Sequence, residues 1–474
     1  MTEFTKEQLD IINKCYKNTV SHPTDDPIGQ LSRYLNQYSN KPTVAYLVGR
    51  EVLDSRGNPT VETDVYVRFQ GRVEFGGRSS APSGASTGSN EARELRDSDK
   101  NRYGGKGTSK AAHNVTSILS PALKGMKLTS LMSLDNKICD TDGTELKERV
   151  GGNAVTATSF ALATAAAKYE KVELFEYLAR QFYGPNKVPK KFRLPTPCFN
   201  ILNGGKHAGG HLKIQEFMVR PSKKYQFPDQ LRIISEVYTT LSKLLTAKYG
   251  VSAKNLGDEG GFAPKLETPE EALTCIETAI QRAGYKPGTD VEICLDAAAS
   301  EFYNRETKLY EVEVGLFKTG DQLIEYWADL IKRHPAVKSI EDGLDENDYE
   351  NWIKLNSALG RKIQLVGDDL YTTNPKTIAR GLREKWCNAL LLKVNQIGTI
   401  TEAMEAAKMA LDARQNVIVS HRSGETCNSL ISDLAVAIGA QQIKAGSTAR
   451  GERIEKYTRL LQIYEYLKAN KMLA

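Results

Sequence analysis

The chain of 474 residues lacks the features that mark several specialised classes of protein. No segment approaches the roughly 20 consecutive apolar residues of a membrane-spanning helix. The first residues, MTEFTKEQLDIINKCYKN, include acidic side chains and no continuous apolar core, so they do not resemble a signal peptide. No long basic block accompanies the net charge of +6, which comes from 64 basic and 58 acidic residues. This mild excess predicts neither a nucleic-acid nor a membrane partner.

Cysteine is scarce and scattered. The number of cysteines is odd, and no two are spaced as CxxC. This usage predicts reduced thiols in a cytosolic protein, where each cysteine packs as a small buried apolar side chain. The seven residues are Cys15, Cys139, Cys198, Cys275, Cys294, Cys387 and Cys427.

Length and composition indicate a soluble protein with more than one core. A hydrophobic fraction of 40% and a charged fraction of 26% are ordinary for globular proteins. A chain of this length exceeds one small domain, so two domains plus an appendage are expected. We place the boundaries at residues 1–41, 42–190 and 191–474.

The first 41 residues carry two short amphipathic segments. The residues TKEQ (5–8) are typical of a helix capping box, and a stripe of apolar residues follows at helical spacing. A second stripe consists of Ile28, Leu31, Leu35 and Tyr38. Because two short helices cannot bury such stripes alone, they must pack on this protein, on a second copy or on a partner. The segment is therefore either a helical hairpin against the main body or a docking or dimerisation element.

The predicted pattern of strands and helices changes near residue 191. Before it, TVETDVYVRF alternates as a strand does, and GNAVTATSFALATAAAKYEKVELFEYLARQF is rich in helix formers, which together predict an α+β domain. After it, apolar runs alternate with helical segments, which predicts a parallel sheet closed into an αβ barrel. The predicted strands are VEICLD, AVKSIED, IQLVGDD, ALLLKV, NVIVSH and QQIKAG.

Each of these predicted strands ends in a side chain capable of chemistry. In an αβ barrel the carboxyl ends of the strands meet on one face, where active sites lie. Three carboxylates brought together there need a compensating cation, and oxygen ligands favour Mg²⁺. A lysine near that cation and a second lysine would have a lowered pKa and could act as a general base. The residues at these ends are Asp296, Glu341 with Asp342, Asp368 with Asp369, Lys393, His421 with Arg422, and Lys444.

Three glycine-rich segments provide further polar groups. PSGASTG (82–88) can lie over a phosphate or a metal ion, NGGKHAGGHLKIQEF (203–217) carries His207 and Glu216, and GDEGGFAP (257–264) carries Asp258 and Glu259. Each segment read alone is also compatible with a solvated surface loop. A guanidinium fork and a hydroxyl, as in Arg422 and Ser423, suit a phosphate group.

Taken together, the motifs resemble the enolase family. DSRGNPTVE, PSGASTG, QEFM, GDEGGFAP, SIED, VGDDL, LLLKVNQIGT and VSHRSGET occur in the family's order, from about residue 43 to the end of the chain. The resemblance implies a smaller N-terminal α+β domain and an eight-stranded, TIM-like enolase barrel. It also implies the interconversion of 2-phosphoglycerate and phosphoenolpyruvate, with two Mg²⁺ ions per active site.

The resemblance assigns a role to each candidate residue. The implied base is Lys393, and the implied acid is Glu259 with Glu216 beside it. The implied ligands of the first Mg²⁺ are Asp296, Glu341 and Asp368, and Ser86 would bind the second. The implied substrate contacts are His207, His421, Arg422, Ser423 and Lys444.

The resemblance also predicts a cytoplasmic homodimer, in which Arg50 and Glu465 match an interface ion pair. Gly343 and Ala445 depart from the family pattern. Residues 1–41 resemble, over a short stretch, the dimerisation–docking helices of ciliary and kinase-anchoring proteins. This predicts an enolase tethered to a scaffold in a cilium or flagellum. Two alternatives remain at this point, a structural protein with the enolase fold but little turnover, and another lyase or racemase of the superfamily.

Overall fold

The computed structural model describes residues 41–85, 88–208 and 211–474, with residues 206 and 207 described only as backbone. The two helices predicted within residues 1–41 lie outside these residues, apart from Lys41. In the described part of the chain, no helix is long and apolar enough to cross a membrane.

The first domain is built on an antiparallel sheet of three strands in the order β1-β2-β3. The predicted strand TVETDVYVRF lies within β2, which confirms that prediction. One face of the sheet packs so closely on a helix that a Cβ atom on Gly77 would lie 2.8 Å from the backbone nitrogen of Ala165. The strands are Thr43–Leu53 (β1), Pro59–Phe69 (β2) and Arg72–Ser80 (β3).

The helix-rich run of this domain forms two helices rather than one. The chain leaves the first helix at Lys171, whose φ is 55°, and Glu173 caps the second in a capping box with Glu176. The helices of the domain are Ser109–Asn114, Ser120–Leu123, Leu131–Asp142, Gly152–Glu170 and Leu174–Tyr183, with a π-helical turn at Val115–Leu119 and a 3₁₀ turn at Tyr103–Gly105.

The second domain is a closed barrel of eight strands, as predicted. All six predicted runs form barrel strands, and neighbours among them pair in parallel. The two remaining strands were not evident from periodicity, and one of them, β5, runs antiparallel to both of its neighbours. The barrel strands are Thr196–Asn203 (β4), Glu216–Pro221 (β5), Val291–Asp296 (β6), Val337–Glu341 (β10), Gln364–Gly367 (β11), Ala389–Leu392 (β12), Asn416–Ser420 (β13) and Gln442–Lys444 (β14).

Helices surround the barrel, and a separate small sheet is formed by a segment inserted between two barrel strands. The strands Tyr303–Asn304 (β7), Leu309–Glu313 (β8) and Leu316–Lys318 (β9) form this sheet between β6 and β10 in the chain. The helices are Gly205–Ala208, Phe227–Tyr249, Pro269–Arg282, Gly320–Arg333, Tyr349–Leu359, Pro375–Glu384, Val394–Ile397, Ile400–Asp412, Leu430–Ala437 and Gly451–Ala469, with 3₁₀ turns at Val251–Lys254 and Ala299–Phe302.

The first domain holds the segment that follows β12. Thr156 donates a hydrogen bond from Oγ1 to the carbonyl oxygen of Gly398 at 2.8 Å, and the Ile400 N–H donates to Ser159 Oγ at 3.0 Å. Asp135 accepts hydrogen bonds from the N–H and the hydroxyl of Thr401, at 3.0 and 2.7 Å. These contacts fix the backbone that leads away from Lys393.

Candidate active site

The predicted residues converge because the strands end on one face of the barrel. Asp296, Glu341 and Lys444 are the last residues of β6, β10 and β14, and Lys393 directly follows β12. Glu216 reaches the same face by a different route, since it is the first residue of the antiparallel β5 and pairs with Asp296. The predicted convergence of strand ends is therefore confirmed.

The buried Lys444 is surrounded by three carboxylates. Its Nζ lies 2.9 Å from Asp296 Oδ2, 2.9 Å from Glu341 Oε1 and 3.1 Å from Glu216 Oε2. Burial lowers the pKa of Lys444, but these acids outweigh burial and raise its pKa above the ordinary value. Burial and mutual repulsion raise the pKa of Glu216 and that of Glu341. The cluster is thus held together by one ammonium group.

Lys393 pairs with a different carboxylate. Its Nζ forms a short ion pair with Asp368, and its N–H donates to Thr373 Oγ1 at 2.9 Å. Burial, Arg422 and Lys444 lower the pKa of Lys393, whereas Asp368 raises it, and the net shift is upward. The protein groups alone therefore raise the pKa of Lys393, and the lowering predicted for this lysine beside a cation and a second lysine stays a prediction.

The closest group of acidic oxygens differs from the predicted ligand set. Asp342, Asp368 and Asp369 place carboxylate oxygens within 4.8 Å of one another, while Asp296 and Glu341 contact Lys444 instead. The carboxylate of Asp342 accepts the N–H groups of Asp368 and Asp369, at 2.9 and 2.8 Å. All five are oxygen donors on one face of the barrel, which suits a hard divalent cation such as Mg²⁺.

Glu259 is buried in a polar network with His421. Asn200 Nδ2 donates to Glu259 Oε2 at 3.0 Å, and the Ser423 hydroxyl donates to Oε1 at 3.3 Å. Arg453 Nη1 lies 2.6 Å from His421 Nδ1. Because a guanidinium cannot accept a hydrogen bond, Nδ1 is the acceptor and the proton of His421 is on Nε2, 3.3 Å from Glu259 Oε2. Burial lowers the pKa of His421 to about 4, which keeps the ring neutral.

Arg422 is buried and already paired with an acid. Glu91 accepts from Arg422 Nη1 at 2.8 Å and from Nη2 at 3.3 Å, and Asn395 Oδ1 accepts from Nη1 at 3.2 Å. Glu91 also accepts from the N–H of Gly88 at 3.0 Å, which ties Arg422 to the end of the PSGASTG segment.

Sequence reasoning missed four residues of this site. Glu91, Asn200, Gln396 and Arg453 lie in no motif whose spacing predicts a contact with the strand ends. Gln396 Nε2 donates to Asp368 Oδ1 at 2.9 Å and to Glu91 Oε1 at 3.2 Å. Only its position inside LLLKVNQIGT, three residues after Lys393, pointed to the site.

Two predicted residues are outside what the structure describes. Ser86 is not described, and the side chain of His207 is not described. The other candidates except Glu341 line a small cavity of about 20 Å³, whose wall also includes Ala85. A space of this size holds about one water molecule, so a phosphorylated acid requires the surrounding loops to rearrange.

Comparison with known proteins places both domains in one family. Residues 191–474 match the family model described as "Enolase, C-terminal TIM barrel domain", and residues 44–178 match "Enolase, N-terminal domain". The chain is 44% identical over 438 residues to "Enolase B" of Dictyostelium discoideum, an alignment that covers 90% of this chain and 95% of that protein.

Proposed function

This chain belongs to the enolase family, and from that membership we propose how its buried side chains carry out the family's reaction. The protein is an enolase, a carbon–oxygen lyase of glycolysis, also called phosphopyruvate hydratase. The observation that carries the proposal is the meeting of the buried Lys444, the partly buried Lys393 and two buried glutamates, Glu216 and Glu259, at one cavity. A structural protein with little turnover is not favoured, because the described acid and base candidates are all present there.

In the proposed reaction, Lys393 removes the proton next to the substrate carboxylate. Its backbone is held by Thr373, and its ammonium group is held by Asp368. Arg422 and Lys444 both lower the pKa of Lys393, and their effect would prevail if a bound cation neutralised the charge of Asp368. Lys393 can then accept a proton near neutral pH.

Glu259 is the proposed acid that protonates the departing hydroxyl. Glu216 shares its environment, and repulsion from Glu259 contributes to the raised pKa of Glu216. Two buried carboxylates of this kind hold a proton between them more readily than either would alone. Neutral His421, Asn200 and Ser423 keep the Glu259 side chain in place.

Arg422 and Ser423 are proposed to bind the phosphate and Lys444 the carboxylate of the substrate, while His421 lines the same pocket. Glu91 already balances the charge of Arg422, so a bound phosphate must share Arg422 with Glu91 or replace Glu91 in the ion pair. His207 and Ser86 are proposed to close over the substrate from the glycine-rich segments.

We propose two Mg²⁺ ions as cofactors. Asp296, Glu341 and Asp368 would hold the first and Ser86 the second, and the oxygen-only donor set fits this ion. When bound, the ions would stabilise the negative charge that develops on the substrate carboxylate after proton loss. To receive the first ion, Lys444 and Lys393 must release the carboxylates that they now contact.

The quaternary and cellular assignments are also proposals. We propose a cytoplasmic homodimer with the domain division 1–41, 42–190 and 191–474, and a scaffold partner for residues 1–41 in a cilium or flagellum. Arg50, which the family resemblance places at the dimer interface, pairs within the chain with Glu62 at 2.7 Å and with Asp64. These contacts draw its guanidinium from β1 toward the central strand β2 of the sheet.

The decisive assay follows the ultraviolet absorbance of phosphoenolpyruvate after the protein is mixed with 2-phosphoglycerate and Mg²⁺. We expect turnover that a chelator abolishes, and at least a hundredfold lower kcat for Lys393→Ala, since a positioned base contributes about 10²–10⁴-fold. The matched control is Lys332→Ala, an exposed lysine on the helix Gly320–Arg333. No turnover by the folded wild-type protein would contradict the proposed roles.

A further inference from the structure

A second cavity opens at the opposite end of the barrel from the active site. Its volume is about 650 Å³, within the range of small-molecule sites. All eight barrel strands contribute to its wall at or next to the end remote from the catalytic face. Among them are Thr196 of β4, Lys338 of β10 and Gln442 of β14.

The cavity is strongly basic. One acidic residue, Glu292, lies in the wall against six basic ones, which are Arg220, Lys223, Lys338, Arg361, Lys362 and Arg414. Within the described chain, Glu292 pairs with Arg220 at 2.6 Å, and the other five basic side chains form no ion pair with any carboxylate. The wall therefore carries an excess of positive charge that nothing in this part of the protein neutralises.

Arg220 is held in the cavity wall by its ion pair with Glu292. It is only 9% exposed, and its Nε and Nη2 donate to Glu292, whereas Nη1 has no hydrogen-bond partner among the described residues. A buried N–H group without a partner is costly, and buried donors in native proteins are nearly always satisfied. Because Nη1 is itself shielded from water, it faces away from the open cavity, and a ligand there would meet the other basic side chains instead.

The floor of the cavity is sealed. Gln364 and Gln442 exchange two hydrogen bonds of 3.0 Å between their side-chain amides, and Asn416 Nδ2 donates to Gln364 Oε1 at 2.8 Å. Above this amide layer, buried side chains fill the barrel interior, namely Val366, Ala389, Leu391 and Ile418 in one cluster and Cys198, Met218 and Cys294 in another. A ligand bound in the cavity therefore has no path to Lys393.

We propose that this cavity binds a small compound with two or more phosphate groups. The guanidinium forks of Arg361 and Arg414, together with three lysines, match several phosphate oxygens at once, because guanidinium groups bind phosphate in a bidentate manner. The excess of positive charge over the single Glu292 also matches a ligand with three or four negative charges. The floor amides bond mainly to one another, so the phosphates rather than an attached group provide the recognition.

Calorimetric titration of the full chain with sodium pyrophosphate, at low ionic strength and with a chelator present, tests the proposal. We expect saturable binding at least tenfold tighter than that of orthophosphate, and weaker binding when salt is added. The variant Lys338→Gln/Arg361→Gln should weaken pyrophosphate binding at least tenfold. The control Lys137→Gln/Arg282→Gln removes the same charge from exposed helix positions elsewhere and should change binding less than twofold.

Two results would overturn the proposal. One is no saturable binding of pyrophosphate to the wild-type chain. The other is binding that the Lys338→Gln/Arg361→Gln variant retains and that phosphoenolpyruvate displaces, which would place the pyrophosphate in the active site. Turnover of 2-phosphoglycerate by the same variant should equal that of the wild type, so this test and the enolase assay fail independently.

Discussion

At the scale of single residues, the active site is organised by charges that compensate one another across strands. Lys444 balances Asp296, Glu341 and Glu216, while Lys393 balances Asp368. Removing one partner of a buried ion pair leaves the other uncompensated, which is strongly destabilising. These lysines therefore have a structural role in addition to the catalytic roles proposed for them.

The buried His421 should make stability depend on pH. Burial lowers its pKa to about 4 in the folded chain, against about 6.5 when unfolded. As pH falls from about 6.5 to 4, the unfolded chain gains a proton that the folded chain does not, so stability is lost, by up to about 3 kcal/mol. Glu259, Glu425 and Arg453 face the ring, and only the two acids favour its protonation.

The test compares thermal unfolding of the wild type and His421→Gln between pH 7 and pH 4.5. The melting temperature of the wild type should fall more steeply with acid than that of the variant. Exposed His113→Gln is the matched control and should follow the wild type. Parallel curves for the wild type and His421→Gln would contradict the assignment of a neutral, buried ring.

At the scale of secondary-structure elements, strand direction and helix capping bring side chains to the site. The antiparallel β5 delivers Glu216 from its first residue to the face that parallel strands reach with their last residues. Thr399 begins the helix that follows Lys393 with a reciprocal capping box. Its Oγ1 accepts from the N–H of Glu402 at 3.2 Å and donates to Glu402 Oε2 at 2.8 Å.

Removal of this cap should lower the stability of the protein. Thr399→Ala leaves the Glu402 N–H without its acceptor, and we expect a loss of about 1–2 kcal/mol in urea denaturation. Thr399→Ser keeps the hydroxyl and should lose less than half as much. Lys147 of the first domain pairs with Glu402 at 2.8 Å, so the loss should extend to contacts between the domains. Equal stability of Thr399→Ala and Thr399→Ser would show that the cap contributes little.

At the scale of the whole molecule, one chain combines the two enolase domains with an N-terminal segment that precedes the family match. The two family matches begin at residue 44 and extend to residue 474. The first domain provides Glu91 to the barrel site and holds the backbone after Lys393, so we expect catalysis to require both domains. None of the candidate site residues lies within residues 1–41.

Deletion of residues 1–41 should therefore abolish scaffold binding without changing catalysis. We expect turnover equal to that of the full chain and loss of the proteins that co-purify with it. Leu31→Asp/Leu35→Asp, in the apolar stripe, should reproduce the loss, whereas Gln30→Asp/Gln37→Asp, with the same added charge outside the stripe, should not. An unchanged set of co-purifying proteins after the deletion would argue against a docking role.

The sequence by itself determined the barrel, the strand ends and the family. Apolar runs of four to six residues alternate with helical segments, and this local pattern suffices to predict strands whose ends meet on one face. Lys393, Lys444, Asp296 and Glu341 were identified in this way because each ends or directly follows such a run. The motifs then identified Glu216 and Glu259, which no periodicity marks as partners.

Tertiary structure alone decided which charges pair and which cavities form. Contacts such as Glu91 with Arg422 join residues 331 positions apart, and a sequence pattern contains no distance between such residues. The upward pKa shift of Lys393 likewise depends on its contact with Asp368 and not on the composition of its strand. The basic cavity below the barrel brings together residues at or beside the ends of all eight strands, each unremarkable in its own segment. Electrostatic balance is set by proximity in space, and only the fold specifies that proximity.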